Sequence, residues 1–137
     1  SSTGEITDYG IVSKRLVTQT FVKRLAAEMA SNWAGADAWK YHGSGTSSAA
    51  EANSQTALGA EVGSRVSGTQ VDVSAGTTGN YQSIATITYG SALSITEHGL
   101  FNAAAVGIML DRSKFTAIVV GSGDSIVFTY DLTINPE

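Results

Sequence analysis

A chain of 137 residues that is 42% apolar and 15% charged can bury one core, and it is too apolar to stay unfolded throughout. Its net charge is −4 and its longest Lys/Arg runs are two residues, Lys14-Arg15 and Lys23-Arg24, so the concentrated basic patch that a nucleic-acid backbone needs is missing. There is no cysteine, which excludes disulfides, zinc–thiolate centres and thiol nucleophiles, and no stretch reaches the roughly 18 apolar residues of a membrane span.

The charged share is well below the usual quarter. The surface is left to Thr, Ser, Ala, Asn and Gly, a composition that suits burial of part of that surface in an assembly. In chain order, residues 1–8 are polar and read as a flexible arm, followed by a single domain over residues 9–137. The opening Ser1-Ser2-Thr3-Gly4 has no basic segment running into an apolar one, so no signal peptide is visible; it reads as a cytosolic product that has lost its initiator Met, and a chain whose signal had already been removed would look the same. Tyr9 to Leu16 alternates weakly and reads as a first strand. Val17 to Trp33 is the one helical segment. Val17, Phe21, Leu25 and Met29 recur every four residues, with Val22, Ala26 and Trp33 beside them, while Lys23, Arg24 and Glu28 fall off the stripe. Thr18 or Thr20 can cap its start, and Asn32 and Gly35 signal its end. A lone helix of this kind is expected to lie against a sheet, over one end or edge.

Trp39 to Thr46 reads as a strand entering a glycine turn, Gly43-Ser44-Gly45. Ser47 to Gly63 is a small-residue connection with at most a turn or two of helix near Glu51 to Leu58. From Arg65 onward the pattern is β. Val71 and Val73 flank Asp72, Tyr81 to Tyr89 is rich in Ile and Thr, and Leu93 to Phe101, Gly107 to Asp111 and Phe115 to Val120 follow. Gly121-Ser122-Gly123-Asp124 predicts a hairpin between the last two strands. In the final strand Ile126, Phe128, Tyr130, Leu132 and Ile134 face one side, and Val127, Thr129, Asp131 and Thr133 the other. The expected fold is therefore mainly β. It is an antiparallel β-sandwich or jelly roll of about seven or eight strands with one α-helix over about 17–33.

The catalytic templates fail on inspection. Gly43-Ser44-Gly45-Thr46 lacks the Gly-Lys-Ser/Thr ending of a phosphate loop, and Gly121-Ser122-Gly123 is not between a strand and a helix as a nucleophile elbow must be. A triad needs nucleophile, base and orienting acid, but on a strand His98 and its neighbour Glu97 point to opposite faces. His42 and His98 could meet in space and hold a metal with Glu97 or Asp111; the preferred reading is that both histidines are structural. Glu97 shares its strand face with Ile95 and Phe101. If it is buried it needs a partner, and Arg112 or Arg65 is the candidate. Trp33 and Trp39, with Tyr41, Tyr81 and Tyr89, are available for a core, an interface or a sugar platform. Glu97, His98, Arg112, His42, Trp33 and Trp39 are thus the candidate structural or interface residues. Catalytic residues, cofactor and metal are expected to be none, and the chain is expected not to be an enzyme.

The order Lys40-Tyr41-His42-Gly43-Ser44-Gly45-Thr46, Ala50-Glu51-Ala52, Thr56-Ala57-Leu58, Ile95-Thr96-Glu97-His98-Gly99-Leu100-Phe101, Leu110-Asp111-Arg112-Ser113-Lys114-Phe115 and Gly123-Asp124-Ser125-Ile126 resembles a family of small structural proteins of tailed bacteriophages. The resemblance covers roughly residues 9–134. Its motifs are strand and turn signatures, and the Thr-Glu-x-Gly-Leu-Phe wording also occurs in tail-collar fibre domains. It implies a virion protein made in the host cytoplasm, a capsid decoration (cement) protein bridging capsid subunits, with the major capsid protein or other virion proteins as partners and a dimer or trimer as its form. It brings no catalytic residues. The alternatives are a tail, neck or fibre-anchoring component and a carbohydrate-binding β-sandwich module.

Overall fold

The computed structural model describes residues 18–30 and 39–136, with the backbone alone at Thr20, Phe21 and Arg24. The expected arm over residues 1–8, the strand over Tyr9 to Leu16 and the candidate Trp33 lie outside the described residues. One helix, α1 (Gln19–Ala30), precedes seven strands: β1 (Tyr41–Gly45), β2 (Glu61–Ser67), β3 (Thr69–Asp72), β4 (Gly79–Thr88), β5 (Leu93–Phe101), β6 (Met109–Val120) and β7 (Ser125–Ile134). They form a β-sandwich of two antiparallel sheets, one ordered β2-β1-β5-β6 and the other β3-β4-β7.

Period-two patterning makes the inner faces. On β4, Tyr81, Ser83, Ala85 and Ile87 are buried while Ile84, Thr86 and Thr88 are exposed. β7 repeats this with Ile126, Phe128, Tyr130 and Leu132 turned inward and Val127, Thr129 and Asp131 outward, so the two strands pair along their whole length, from Gly79↔Ile134 to Thr88↔Ser125. Two apolar clusters result. Ile87, Tyr89, Ile95 and Val120 fill one end of the sandwich. At the other, Tyr81 of one sheet and Leu100 of the other are joined by Ala26 and Met29 of α1, with Trp39, Tyr130 and Leu132 half-buried against them. The helix therefore plugs an end of the sandwich with its Val22–Ala26–Met29 stripe. Burying Val22 and Met29 contributes about 1.5–3 kcal/mol each, and Ala26 less. Its approach is close enough that a Cβ on Gly79 would sit 2.1 Å from the Val22 carbonyl oxygen. Gly79→Ala would lift the helix off the sheet.

Four expectations change. Gly121–Asp124 is a tight turn, closed by Asp124 N–H to Gly121 O at 3.0 Å and by Gly121 N–H to Asp124 Oδ2 at 2.8 Å. It does not make a hairpin, because β6 and β7 belong to different sheets. The turn instead docks on the end of β4 through Gly123 N–H to Tyr89 O and Tyr89 N–H to Asp124 O. Turn chemistry sets a chain reversal; the apolar face of β7 chooses the partner. Gly43-Ser44-Gly45 is not a turn but the middle of a sheet, since β1 is flanked by β2 and β5. The segments read over Gly107 to Asp111 and Phe115 to Val120 merge from Met109 onward into one strand, β6, whose polar stretch at Asp111–Lys114 stays extended, while Gly107 and Ile108 belong to the preceding loop. Over residues 51–58 there is no helix, only a turn at Ala52–Gln55 braced by the Gln55 side chain.

Candidate functional site

β5 is unlike its neighbours. Every residue from Ile95 to Phe101 is buried, because both of its faces are covered. The inner face meets the other sheet. The outer face is covered by the 47–60 segment, which the glycines make possible. A Cβ on Gly45 would lie 2.4 Å from both Ala60 O and a Glu97 carboxylate oxygen, and one on Gly99 would lie 2.9 Å from Leu58 Cδ2. Stripped of side chains, the sheet accepts a flat-lying backbone.

Glu97 fastens that segment. Its carboxylate, fully buried, accepts from Gly59 N–H (2.9 Å), Ala60 N–H (2.8 Å), Ser47 N–H (3.1 Å) and Arg112 Nε (2.9 Å). Arg112 continues outward, donating to Ala49 O at 3.1 Å and to Gln55 Oε1 at 3.4 Å, and Thr96 Oγ1 donates to Ser47 O at 2.8 Å. Burial alone pushes the Glu97 carboxyl up, but the Gly59 and Ala60 amides, Arg112 and Ser47 together outweigh it and hold the group below its ordinary range. Of the two cations expected to be open to Glu97, Arg112 and Arg65, the one that meets it is Arg112. Arg65 instead clamps Glu61 at 2.9 Å and lies over the Phe101 ring at 3.4 Å. Ile95 does not share the Glu97 surroundings. The β5–β6 register slips between Ile95 and Glu97, and Ile95 joins the inter-sheet cluster.

The next residue, His98, points the other way, as strand alternation requires. Between the sheets its Nε2 lies 2.9 Å from His42 Nδ1, and His42 Nε2 lies 2.8 Å from Ser83 Oγ. Phe128 stacks on the His98 ring at 4.5 Å. Close by, Ser44 Oγ and Tyr89 Oη are 2.7 Å apart. Each link in the Ser83–His42–His98 chain carries one proton. Either Ser83 donates to His42 and His42 to His98, or the chain runs in reverse. Burial lowers His42 to about 4; burial and then the charge of His42 lower His98 to about 3. Both rings are neutral at pH 7. Tyr81 and Tyr130, in the same interior, are pushed up to about 12, chiefly by burial.

The distances in this chain are those of a nucleophile, a base and an orienting group, but the surroundings differ. Ser83 and His42 are wholly buried, and Gly68 lies over them so closely that a Cβ there would be 2.6 Å from Ser83 Oγ and 2.8 Å from His42 Nε2. The third member is a neutral imidazole, not a carboxylate that could stabilise an imidazolium. Nor do the histidines face a common metal position. Their near nitrogens point at each other, Glu97 is on the opposite face, and among the described residues no group of three His, Cys, Asp or Glu side chains could hold a metal ion.

The structure thus brings the candidates together as two pairs, Glu97 with Arg112 and His42 with His98, back to back through β5. Trp39 belongs to neither. It is half-buried against the helix cluster, and its carbonyl accepts the Tyr81 hydroxyl proton. Sequence reasoning missed Ser83, Ser44 and the amides of Ser47, Gly59 and Ala60. The signal for the amides was Gly45 and Gly99, which leave room on that face for the Leu58–Ala60 stretch. No protein-family model, curated protein or solved structure matches this chain.

Proposed function

We propose that the chain is a structural, non-enzymatic protein of a tailed-phage particle, a capsid decoration protein that bridges shell subunits. The observation that carries this reading is the placement of exposed large aliphatic side chains. Val106 and Ile108 crown the β5–β6 loop, and Ile118, Val119 and Val127 line the open edges of β6 and β7, on a surface poor in charge. Such surface is ordinarily covered in an assembly. The resemblance of the strand and turn motifs to phage structural proteins supplies the setting. The two buried polar knots supply rigidity, and the Ser83–His42 pair within them is closed to solvent.

The sugar-binding alternative needs exposed aromatic rings, whereas every Trp, Tyr and Phe whose side chain is described is buried or half-buried. The proposal is tested by the copy number of the chain in purified virions, measured by quantitative mass spectrometry against the major capsid protein. A simple fraction of the capsid count, hundreds of copies, is expected. A few copies to a few dozen would move the protein to the tail or neck, and its absence from virions would overturn the reading.

A further inference from the structure

The Ser83–His42–His98 chain is sealed at one end and wet at the other. The Gly68 backbone closes the Ser83 end. At the other end the His98 ring, 6% exposed, lines an open depression of about 280 Å³ between β6 and β7, where Ser113 and Thr129 share the lining with it. His98 Nε2 is committed to His42. His98 Nδ1 has no partner within the protein and is not among its sealed polar atoms, so it is the nitrogen that meets water. A proton therefore reaches the pair while the fold is closed, and it enters at His98.

One proton and two protons have different consequences. Each neutral ring carries one proton, and the link between the rings uses one. An added proton still fits. Shared between His42 Nδ1 and His98 Nε2, it leaves His42 Nε2–H donating to Ser83 Oγ and His98 Nδ1–H donating to water. The next one does not fit. Both nitrogens that face each other at 2.9 Å would then carry a proton, two donors and two positive charges with no acceptor between them.

Nothing packed around the pair offsets that charge. From β1, Ser44 is bonded to Tyr89 of β4. Tyr81 of β4 donates to the Trp39 carbonyl and to Gln70 of β3. β2 brings Val62 and Val66, α1 brings Val22, Ala26 and Met29, and β7 brings Phe128 and Tyr130. β6 brings Ser113 and Asp111, and that carboxylate bears on Tyr130 and on neither imidazole. Glu97, Arg112 and Lys114 are on the outer face of the sheet. Burial lowers both rings, and the charge of His42 further lowers His98, as a pair that resists its second proton requires.

We infer that the His42–His98 pair is a two-step acid release built into the sandwich: the first proton is held in the closed fold, and the second parts the two sheets along the β6/β7 side. On the opposite side the chain runs from β2 into β3 through Gly68 and ties the sheets covalently. On the β6/β7 side the ring that must gain water is held by its stack on Phe128, beside a depression that already admits water. The ladders within each sheet are backbone bonds that do not titrate, so the opened form keeps its strands.

The experiment is an acid titration of the full chain. Ring nitrogen and carbon NMR signals count the protons on His42 and His98, and the side-chain carbonyl carbon of Glu97 reports its own protonation. Near-ultraviolet circular dichroism reports the packing of Tyr81, Tyr89 and Tyr130 between the sheets, and far-ultraviolet dichroism reports the strands. The pair is expected to take up one proton with both dichroism signals unchanged. The second uptake should coincide with loss of the near-ultraviolet signal alone. His98→Phe keeps a ring on Phe128 but removes the acceptor of His42 Nδ1–H, so it should merge the two steps into one, with the single protonation of His42 coinciding with the loss; the full chain decides the matter if this variant does not fold. Two protons taken up with the near-ultraviolet signal intact would overturn the inference. So would opening at the first proton, strand loss in the same step as the second, or a near-ultraviolet loss that follows Glu97 while the pair holds one proton or none. A proton held by a still-closed His98→Phe would overturn it as well.

Discussion

Glu97 and His98 are adjacent in sequence, equally withdrawn from water, and opposite in charge state. On the outer side of β5 the carboxylate is kept ionised; on the inner side two imidazoles are kept neutral. Burial disfavours the charged form in both places. What differs is the set of donors awaiting the group. Three backbone amides and a guanidinium converge on Glu97, whereas His98 and His42 face each other and a serine hydroxyl, with no carboxylate on the chain they form. A buried ionisable group takes the charge that its neighbours' protons and lone pairs can satisfy, and a β-strand can present one of each kind at consecutive residues.

The largest way to break this contrast is Glu97→Ala. It leaves Arg112 buried without its partner and frees three amides. The expected loss is about 3–5 kcal/mol or more, enough to exhaust much of a domain's stability. Chemical denaturation should show a midpoint drop of that size, with Glu97→Gln retaining part of the stability because it keeps an acceptor. Wild-type stability at an unchanged midpoint in Glu97→Ala would mean that the knot contributes nothing.

A titration separates the two sides. The histidines have native values below their ordinary 6.5, at about 4 and about 3. Below pH 6.5 the unfolded chain therefore binds protons that the folded chain refuses, so stability falls as pH drops from 6.5 toward 3 and is level above 6.5. At roughly 1.4 kcal/mol per unit, the His42 shift alone is of order 3 kcal/mol. Glu97, held below its ordinary 4.5, adds a second loss only below that value. Melting temperatures across this range should show both phases in the wild type. His42→Gln should lose the His42 share of the upper phase, keep the share that burial of His98 supplies, and keep the lower phase; an unchanged upper phase would move its origin away from the pair.

The smallest effect is in the inner hydroxyls. Ser44→Ala orphans the Tyr89 hydroxyl, a cost of about 1–3 kcal/mol, while the double change with Tyr89→Phe removes donor and acceptor together and should recover most of that loss. A double-mutant cycle that comes out additive would show the 2.7 Å contact to be energetically idle.

Period-two runs such as Ile126 to Ile134 made the sandwich legible in the sequence, and the Val22–Ala26–Met29 spacing made the helix legible, because one-sided burial writes itself directly into residue choice. For Glu97 only the need was legible, since a buried acid on a strand face with Ile95 and Phe101 requires a cation; the choice of Arg112 over Arg65 was not. What could not be read is what depends on encounters between distant segments. The Gly121–Asp124 turn looks the same whether the chain reverses within a sheet or steps across to another. The donors to Glu97 are backbone amides, which have no sequence signature beyond the glycines opposite them. The hydrogen-bonded meeting of His42 with His98, and Ser83 beyond them, needed the register Ser44↔His98 of β1 on β5 together with the packing of the other sheet.

The Glu97 bonds also bear on time. Ser47 and Glu97 are 50 residues apart in the chain, so the carboxylate meets its amides only after β1 has found β5 across a long loop. Folding dominated by such distant pairings is slow, on the order of milliseconds to seconds. Bonds that form after the rate-limiting step do not hasten it; they appear instead in the unfolding rate, which they lower. The Glu97 bonds are expected to act there, as a latch whose loss raises the unfolding rate more than it slows folding. Under the proposed virion role, lifetime is the form of stability that counts, because a particle must outlast the cell that made it.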